Sequence, residues 1–481
     1  MTFYHKIEPA EAYLGLDPVL YQRIAPTPLK DPTLISFSAD AGTLLGIDAE
    51  ASQKRDFVDF VNGSFLPEGI EPYAMCYAGH QFGFYVPRLG DGRAVNLGLL
   101  NGWHLQLKGA GVTRYSRSGD GRAVLRSSIR EYLMSEAMHG LGIATTRALA
   151  LIGSQEPVRR ERMERGAIVL RMSPSWIRFG SFEYCYYNRK RAPDNLRALA
   201  EYTIADSFPH LAGDPDRYFK MFAEVVADTA RLIAQWQAVG FNHGVMNTDN
   251  MSIASLTIDY GPYAFLDDYD LDYICNHTDV EGRYSFGNQP YVAEWNLSKL
   301  MEALAPLVDT DRTTRVLFGF RKIYQREMMG LMRAKLGLVE KLDEDKALIE
   351  DLYVLMQAQP VDYTFFFRRL SHYGGDREEM LSLVQMRKPL EAWLDRYEMR
   401  LEKERIPRHE RHRMMQKTNP KYVLKNYILQ EAIDAAEQGD YRLVNDLLDI
   451  AHDPFAEHPA FEAYAGPTPL RHKNLRLSCS S

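Results

Sequence analysis

The sequence predicts an α+β protein with a strand-rich region in its first half and a mainly helical second half. Three observations carry this. Apolar runs with strand alternation fall between residues 82 and 108, separated by glycine turns. A helical periodicity runs from Arg217 to Val239 and stops at Gly240. From Trp295 to about Ala451 the pattern is again helical, with frequent charges. At 481 residues the chain exceeds one simple core, and roughly 100–200 residues per domain gives two to four packed units.

Residues 1–70 form a proline-containing lead without a recognisable motif, read as an extension that wraps the rest. Strands follow at Phe82 to Arg88, Ala94 to Leu100 and Trp103 to Lys108, joined by Leu89-Gly90-Asp91-Gly92-Arg93 and by Asn101-Gly102. Asn-Gly between apolar runs marks a tight hairpin, because both turn positions need positive φ. A second glycine stretch, Gly109 to Arg122, leads into a helix from about Ala123 to His139, with Leu125, Ile129, Leu133 and Ala137 on one stripe and Gly140 as its cap. Ala167 to Met172 reads as a buried strand. Ile253 to Ile258 and Tyr263 to Leu266 read as strands flanking Asp259-Tyr260-Gly261. Arg400 to Arg413 reads as a solvated, mixed-charge helix face, and Pro454 to Ser481 as an extended tail.

Composition excludes several classes of function. With 46% hydrophobic and 25% charged residues the chain is an ordinary globular one. Lys plus Arg 57 against Asp plus Glu 64 gives a net charge of −7, which argues against a general nucleic-acid binder. The first residues lack the pattern of a signal or transit peptide, and no run reaches the roughly 18 apolar residues of a membrane span. A bacterial cytoplasmic protein, acting as a monomer, is expected. Cys76, Cys185, Cys275 and Cys479 are too sparse for a zinc ribbon or a disulfide scaffold.

The chemistry lies in the order of the motifs: glycine turn, strand ending in Lys108, helix bearing an acid, the loop His243 to Asn250, then Asp259-Tyr260-Gly261. That is the order of parts in a protein kinase. The sequence therefore predicts a kinase-like two-lobed fold. Its β-rich N-lobe covers 71–165 and its mainly helical C-lobe 166–455, with extensions at 1–70 and 456–481. His243 and Asn250 keep the kinase spacing, but Val245 stands where the catalytic Asp belongs.

Lys108 shares a strand face with His104 and Gln106, and its candidate partners are Glu131 and Glu136. These lie about 140° apart around a helix and cannot both face the strand. Glu131, set among small serines, is favoured over Glu136, which falls in the leucine stripe. Asn250 and Asp259 offer hard oxygen ligands suited to magnesium or manganese. Asp249 is the carboxylate inside the loop and the natural general base. Arg93, Arg122, Arg171 and Arg178 suit polyphosphate through forked hydrogen bonds, and the turns at Gly90 to Gly92 and Gly119 to Gly121 offer backbone N–H groups to it.

Several strings go further: Tyr77-Ala78-Gly79-His80-Gln81-Phe82-Gly83, Leu89 to Arg93, Gln106 to Gly111, Gly119 to Glu131, Ile177-Arg178-Phe179-Gly180-Ser181-Phe182-Glu183 and Asn247 to Ile253. Together they resemble the selenoprotein O (SelO) family. The resemblance implies a protein nucleotidyltransferase that moves AMP from ATP, or UMP from UTP, onto Ser, Thr or Tyr hydroxyls of other proteins, with the nucleotide reversed relative to a kinase. By motif it places Gly90, Gly92, Arg93, Lys108, Glu131, Asp120, Gly121, Arg171 and Arg178 at the nucleotide. It makes Asp249 the base and gives the metal to Asn250 and Asp259. Val112 and Arg114 depart from the family pattern, where proline is expected. The family also suggests an oxidative link between Cys275 and Cys479. The competing functions are a true kinase transferring the γ-phosphate and an inactive ATP-binding scaffold.

Overall fold

The hairpins of residues 84–108 build the middle of an antiparallel sheet. The computed structural model describes residues 3–190, 192–473 and 475. Among these, nine strands form one sheet: β1 (Tyr21–Arg23), β2 (Thr33–Phe37), β3 (Tyr73–Gln81), β4 (Phe84–Gly90), β5 (Ala94–Leu100), β6 (Trp103–Lys108), β7 (Ala123–Val124), β8 (Arg147–Arg159) and β9 (Met163–Ser173). The order is β1-β3-β5-β6-β9-β8-β2, with β4 paired to β3 and β7 to β9. Asn101 (φ 50°) and Gly102 (φ 78°) form the β5–β6 turn, as the twist of a two-residue hairpin demands. The protein is thus α+β, with a mostly antiparallel sheet and many helices.

Residues 3–62 are woven into the sheet. β1 pairs β3 at one edge and β2 pairs β8 at the other. Phe3, Tyr4, Phe57 and Phe60 pack with Val95, Leu105 and Leu107 on one sheet face, each buried aromatic contributing roughly 1.5–3 kcal/mol. The helix Leu125–Gly140 covers the other face, where Leu125, Ile129 and Leu133 join one core with Ala148, Leu151 and Val169.

On that same face the register sets a polar ladder. Asn96 lies opposite Gln106 and Gln106 opposite Arg171, and Gln106 Nε2 donates to Asn96 Oδ1 at 3.0 Å. Arg171 donates in turn to Gln106 Oε1. Fully buried polar groups must be paired in this way or cost stability, so the ladder holds the Arg171 guanidinium against Gln106 of β6.

The helix Arg217–Val239 ends at Gly240 in the left-handed conformation (φ 73°), a cap that favours glycine. Two short strands follow, β10 (Phe241–Asn242) and β11 (Ala264–Phe265), paired with each other. The last helices, Asn426–Glu437 and Arg442–His452, return to pack on Leu125–Gly140. There the fully buried Glu136 accepts from Arg147 Nε and Nη2 (2.8 and 2.7 Å), Ser38 Oγ (2.6 Å) and Ala148 N (3.1 Å), with His452 Nε2 at 2.9 Å. Asp40, Glu136 and His452 cluster as metal ligands do, but the Arg147 guanidinium already supplies the positive charge between Asp40 and Glu136.

Several local expectations are corrected. Residues 253–258 are not a strand: they open with a turn, and Thr257 makes a single bridge to Thr145, because Ser252 Oγ accepts from Ala254 N and Ser252 O from Ser255 N, which turns the chain. The Leu125 helix runs through Gly140 and stops at Leu141. Phe82 (φ 50°) and Gly83 (φ 89°) make a turn, so that strand starts at Phe84. Residues 400–413 span two helices, and Arg400 is buried against Asp345 (2.6 Å) and Glu404 (2.8 Å) rather than solvated. The tail from Pro454 holds 3-10 turns at Pro459–Tyr464 and Leu470–His472. No helix among the described residues is long and apolar enough to cross a membrane.

Candidate active site

The end of β6, the end of β9, the two glycine turns and the loops after Gly240 meet around a cavity of about 780 Å³. Gly90, Gly92, Arg93, Lys108, Asp120, Gly121, Arg171, Arg178, Asp249, Asn250 and Asp259 all line it. Glu131 does not line it and sits behind Lys108, with Lys108 Nζ 2.6 Å from Glu131 Oε2. Of the two helix acids Glu131 meets the lysine, and Glu136 turns to Arg147.

The floor is a buried network of charge. Arg171 Nη1 donates to Glu131 Oε1 and to Asp259 Oδ1, both at 2.7 Å, Lys108 Nζ lies 3.7 Å from Asp259 Oδ1, and Arg178 donates to Asp259 Oδ2. Arg178 also donates to the Asp249 carbonyl at 2.7 Å. Aromatic rings back both guanidinium groups, Trp176 at 4.6 Å from Arg171 and Tyr77 at 4.7 Å from Arg178. Burial works against the charge of Asp259, but Arg178, Lys108 and Arg171 hold its carboxyl well below the usual range. Burial likewise opposes the charge of Glu131, which Lys108 and Arg171 keep low. Burial lowers Lys108, with Glu131 opposing. Asp259 holds φ 57°, a left-handed conformation that Asp tolerates better than most residues and that brings its carboxylate to these cations.

Asp249 has a different environment. Burial pushes its carboxyl up to about 6, against the hydrogen bond from Gln81 and the charge of Arg178. A carboxylate tuned to that range can exchange a proton near neutrality. Asn250 Nδ2 donates to Val245 O at 3.0 Å, which fixes the orientation of the amide. His243 stacks on Trp236 at 5.3 Å, with Nε2 2.9 Å from Ile258 O, and its burial lowers its pKa. It braces the loop. The hard oxygens of Asn250 and Asp259 on neighbouring loops fit a magnesium or manganese ion in their chemistry.

The glycine turns form the roof. Thr113 Oγ1 donates to Asp91 O at 2.7 Å and Ser116 to Gly92 O, pressing the second turn on the first. Gly90 (φ 144°) has no room for a Cβ against Tyr115 and Met75 O. Arg122 is engaged by Thr27 O, Pro28 O and Glu156, and Asp120 by Arg160 (2.8 and 3.0 Å). Arg160, Arg117, Asp91 and Asn247 also line the cavity. Sequence reasoning missed them; only Asp91, between two glycines, carried a local signal. Val112 and Arg114 sit exposed on the loop between the turns. Cys275 is buried, with Sγ 2.7 Å from Pro262 O, and Cys479 lies outside the described residues.

The family model described as "Protein adenylyltransferase SelO" matches residues 5–452. A protein of Myxococcus xanthus named protein nucleotidyltransferase YdiU is 50% identical over 468 residues, covering 95% of this chain and 96% of its own. Proteins of the same name are 48% identical in Pseudomonas fluorescens, covering 95% of each chain, and 46% identical in Thiobacillus denitrificans, covering 98% of each. At such identity over nearly the whole of both chains, the protein belongs to the SelO family of protein nucleotidyltransferases.

Proposed function

We propose that this nucleotidyltransferase moves AMP from ATP, or UMP from UTP, onto Ser, Thr or Tyr hydroxyls of other proteins and releases pyrophosphate. The frame is a two-lobed, kinase-like one, with residues 71–165 and 166–455 as the lobes and 1–70 and 456–481 as extensions. The observation that carries the reading is the cavity's composition. Val245 occupies the kinase base position, a carboxylate with a raised pKa stands four residues on, and Lys108, Arg171 and Arg178 crowd the floor. Attack at the α-phosphorus develops negative charge on the departing pyrophosphate, which a floor of buried cations stabilises.

In this reading the acceptor oxygen attacks the α-phosphorus while Asp249 takes its proton. The bond from that phosphorus to the oxygen bridging to the β-phosphorus breaks, and the pair of electrons leaves with pyrophosphate. Lys108, Arg171, Arg178 and Arg93 stabilise the charge that develops there, with Gly90, Gly92, Asp120 and Gly121 shaping the roof. Glu131 keeps Lys108 in place. Asn250 and Asp259 would hold magnesium or manganese, which would supply further neutralisation of the phosphate charge. A soluble bacterial cytoplasmic monomer that binds neither nucleic acid nor membrane completes the proposal. ATP labelled at the α or γ phosphorus tests it. Label from α alone in the protein fraction is expected, label from γ alone would identify a kinase, and no label would identify a scaffold.

A further inference from the structure

The string Tyr77 to Gly83 and the start of the helix Phe179–Asn188 hold neither nucleotide nor metal in the scheme above, yet together they enclose Asp249. β3 runs past the loop so closely that a Cβ on Gly79 would lie 2.6 Å from Asp249 Oδ1 and 2.9 Å from its Cβ. Gln81, two residues on and therefore on the same strand face, donates through Nε2 to Asp249 Oδ2 at 3.1 Å. Between them His80 N donates to Thr248 Oγ1 at 2.6 Å, and beyond them Phe82 N donates to Asn247 Oδ1 at 3.2 Å. From the other side a Cβ on Gly180 would strike Ala78 O and approach Asp249 Cα at 3.3 Å. Behind the loop the buried pair His80 Nδ1 and Glu183 Oε2, 2.8 Å apart, ties strand to helix.

The two carboxylate oxygens of Asp249 are consequently unlike. Oδ1 is buried and has no hydrogen-bond partner among the described residues, and it occupies the niche left by the missing side chain of Gly79. Oδ2 is held by the Gln81 amide. An unpaired buried oxygen costs stability, and a sequence keeps such a cost where the geometry serves function.

We propose that Gly79 and Gln81 are positioning residues for Asp249: the niche over Gly79 receives Oδ1, and the Gln81 amide aims Oδ2 at the acceptor proton. The proposal rests on Asp249 as the base. Adding a methyl at residue 79 pushes the carboxylate aside, and removing the amide at residue 81 frees its rotation. Neither change touches the cations that hold phosphate.

The test uses the full chain with Gly79→Ala and Gln81→Met, assayed for transfer of α-labelled ATP into protein. Each variant is expected to lower kcat by about a hundredfold, the usual consequence of misplacing a reacting group by an ångström. KM for ATP and the calorimetric affinity for α,β-methylene-ATP stay unchanged. In an Asp249→Ala background neither change lowers the residual rate further, because both act through that carboxylate. Wild-type kcat in both variants, a rise in KM without a fall in kcat, or a further loss in the Asp249→Ala background would overturn the proposal. Should Gly79→Ala fail to fold, Gln81→Met, which keeps volume, decides alone. Full activity of Asp249→Ala by itself would instead remove the base assignment, a separate measurement with a separate outcome.

Discussion

Replacing Glu131 by glutamine would strip the buried charge network of a carboxylate that faces Lys108 Nζ at 2.6 Å and Arg171 Nη1 at 2.7 Å. All three side chains are buried, and the other carboxylate touching both cations is Asp259, at 3.7 and 2.7 Å. Removing one partner of a buried ion pair costs about 3–5 kcal/mol, because the remaining charge is left uncompensated in a medium that solvates it poorly. Glutamine keeps an oxygen that can accept from one cation, which places the expected loss near the lower end, about 3 kcal/mol. The assay is urea denaturation followed by far-ultraviolet circular dichroism, beside transfer of α-labelled ATP. The double variant Lys108→Met with Glu131→Gln is expected to be more stable than the sum of the singles predicts, by about 1–3 kcal/mol, since it removes both members of the pair. Glu136→Gln on the same helix serves as the comparison: its partners are Arg147, His452 and Ser38, so its effect should add to that of Lys108→Met. A loss below about 1 kcal/mol for Glu131→Gln, or simple additivity with Lys108→Met, would refute the ion-pair reasoning.

In the proposed reaction Asp249 can take the acceptor proton only when ionised. With its carboxyl pushed up to about 6, transfer should rise with pH through that value and level off above it, and Asp249→Asn should lower transfer to a residual rate, by about 10²–10⁴-fold, while sparing nucleotide affinity; a rate profile flat across that window would contradict the role. Lys335 is buried against the rings of Tyr363 and Phe367, and burial lowers it from 10.5 to about 7. Between those values the unfolded chain binds a proton that the folded chain does not, so stability is lost as pH falls through that window and the loss is complete below about 7. Lys335→Met should therefore raise the melting temperature at neutral pH, by a stabilisation on the order of a few kcal/mol, with little gain near pH 10.5; equal gain at both would oppose it. Gln106→Leu leaves Asn96 and Arg171 without their shared partner, and a destabilisation of about 1–3 kcal/mol is expected in the same urea assay.

Local rules made much of the fold legible. Strand alternation and Asn101-Gly102 specified β5 and β6, and the periodicity with Gly240 specified the helix Arg217–Val239. Two central strands were not read. β3, Tyr73–Gln81, is buried on both faces and so lacks alternation, and β8, Arg147–Arg159, changes register through bulges. Residues 253–258 looked like a strand because their apolar residues alternate, but the Ser252 side chain bonds the nearby backbone at Ala254 and turns the chain, while Thr257 donates to the distant Ala144 O. Arg400 looked solvated because its partner Asp345 is remote in sequence.

By itself the sequence determined the chemistry on offer: a lysine at a strand end, two acids on one helix, an Asn and two Asp on successive loops, and arginines spaced for phosphate. Residue type and short-range spacing are enough for that. The tertiary structure alone decided between Glu131 and Glu136, paired Arg122 with Glu156 at the cavity wall, brought Arg160 to Asp120, and laid β3 against Asp249. Each of these depends on contacts between residues distant in the chain, set by strand register and helix packing, which no local pattern encodes.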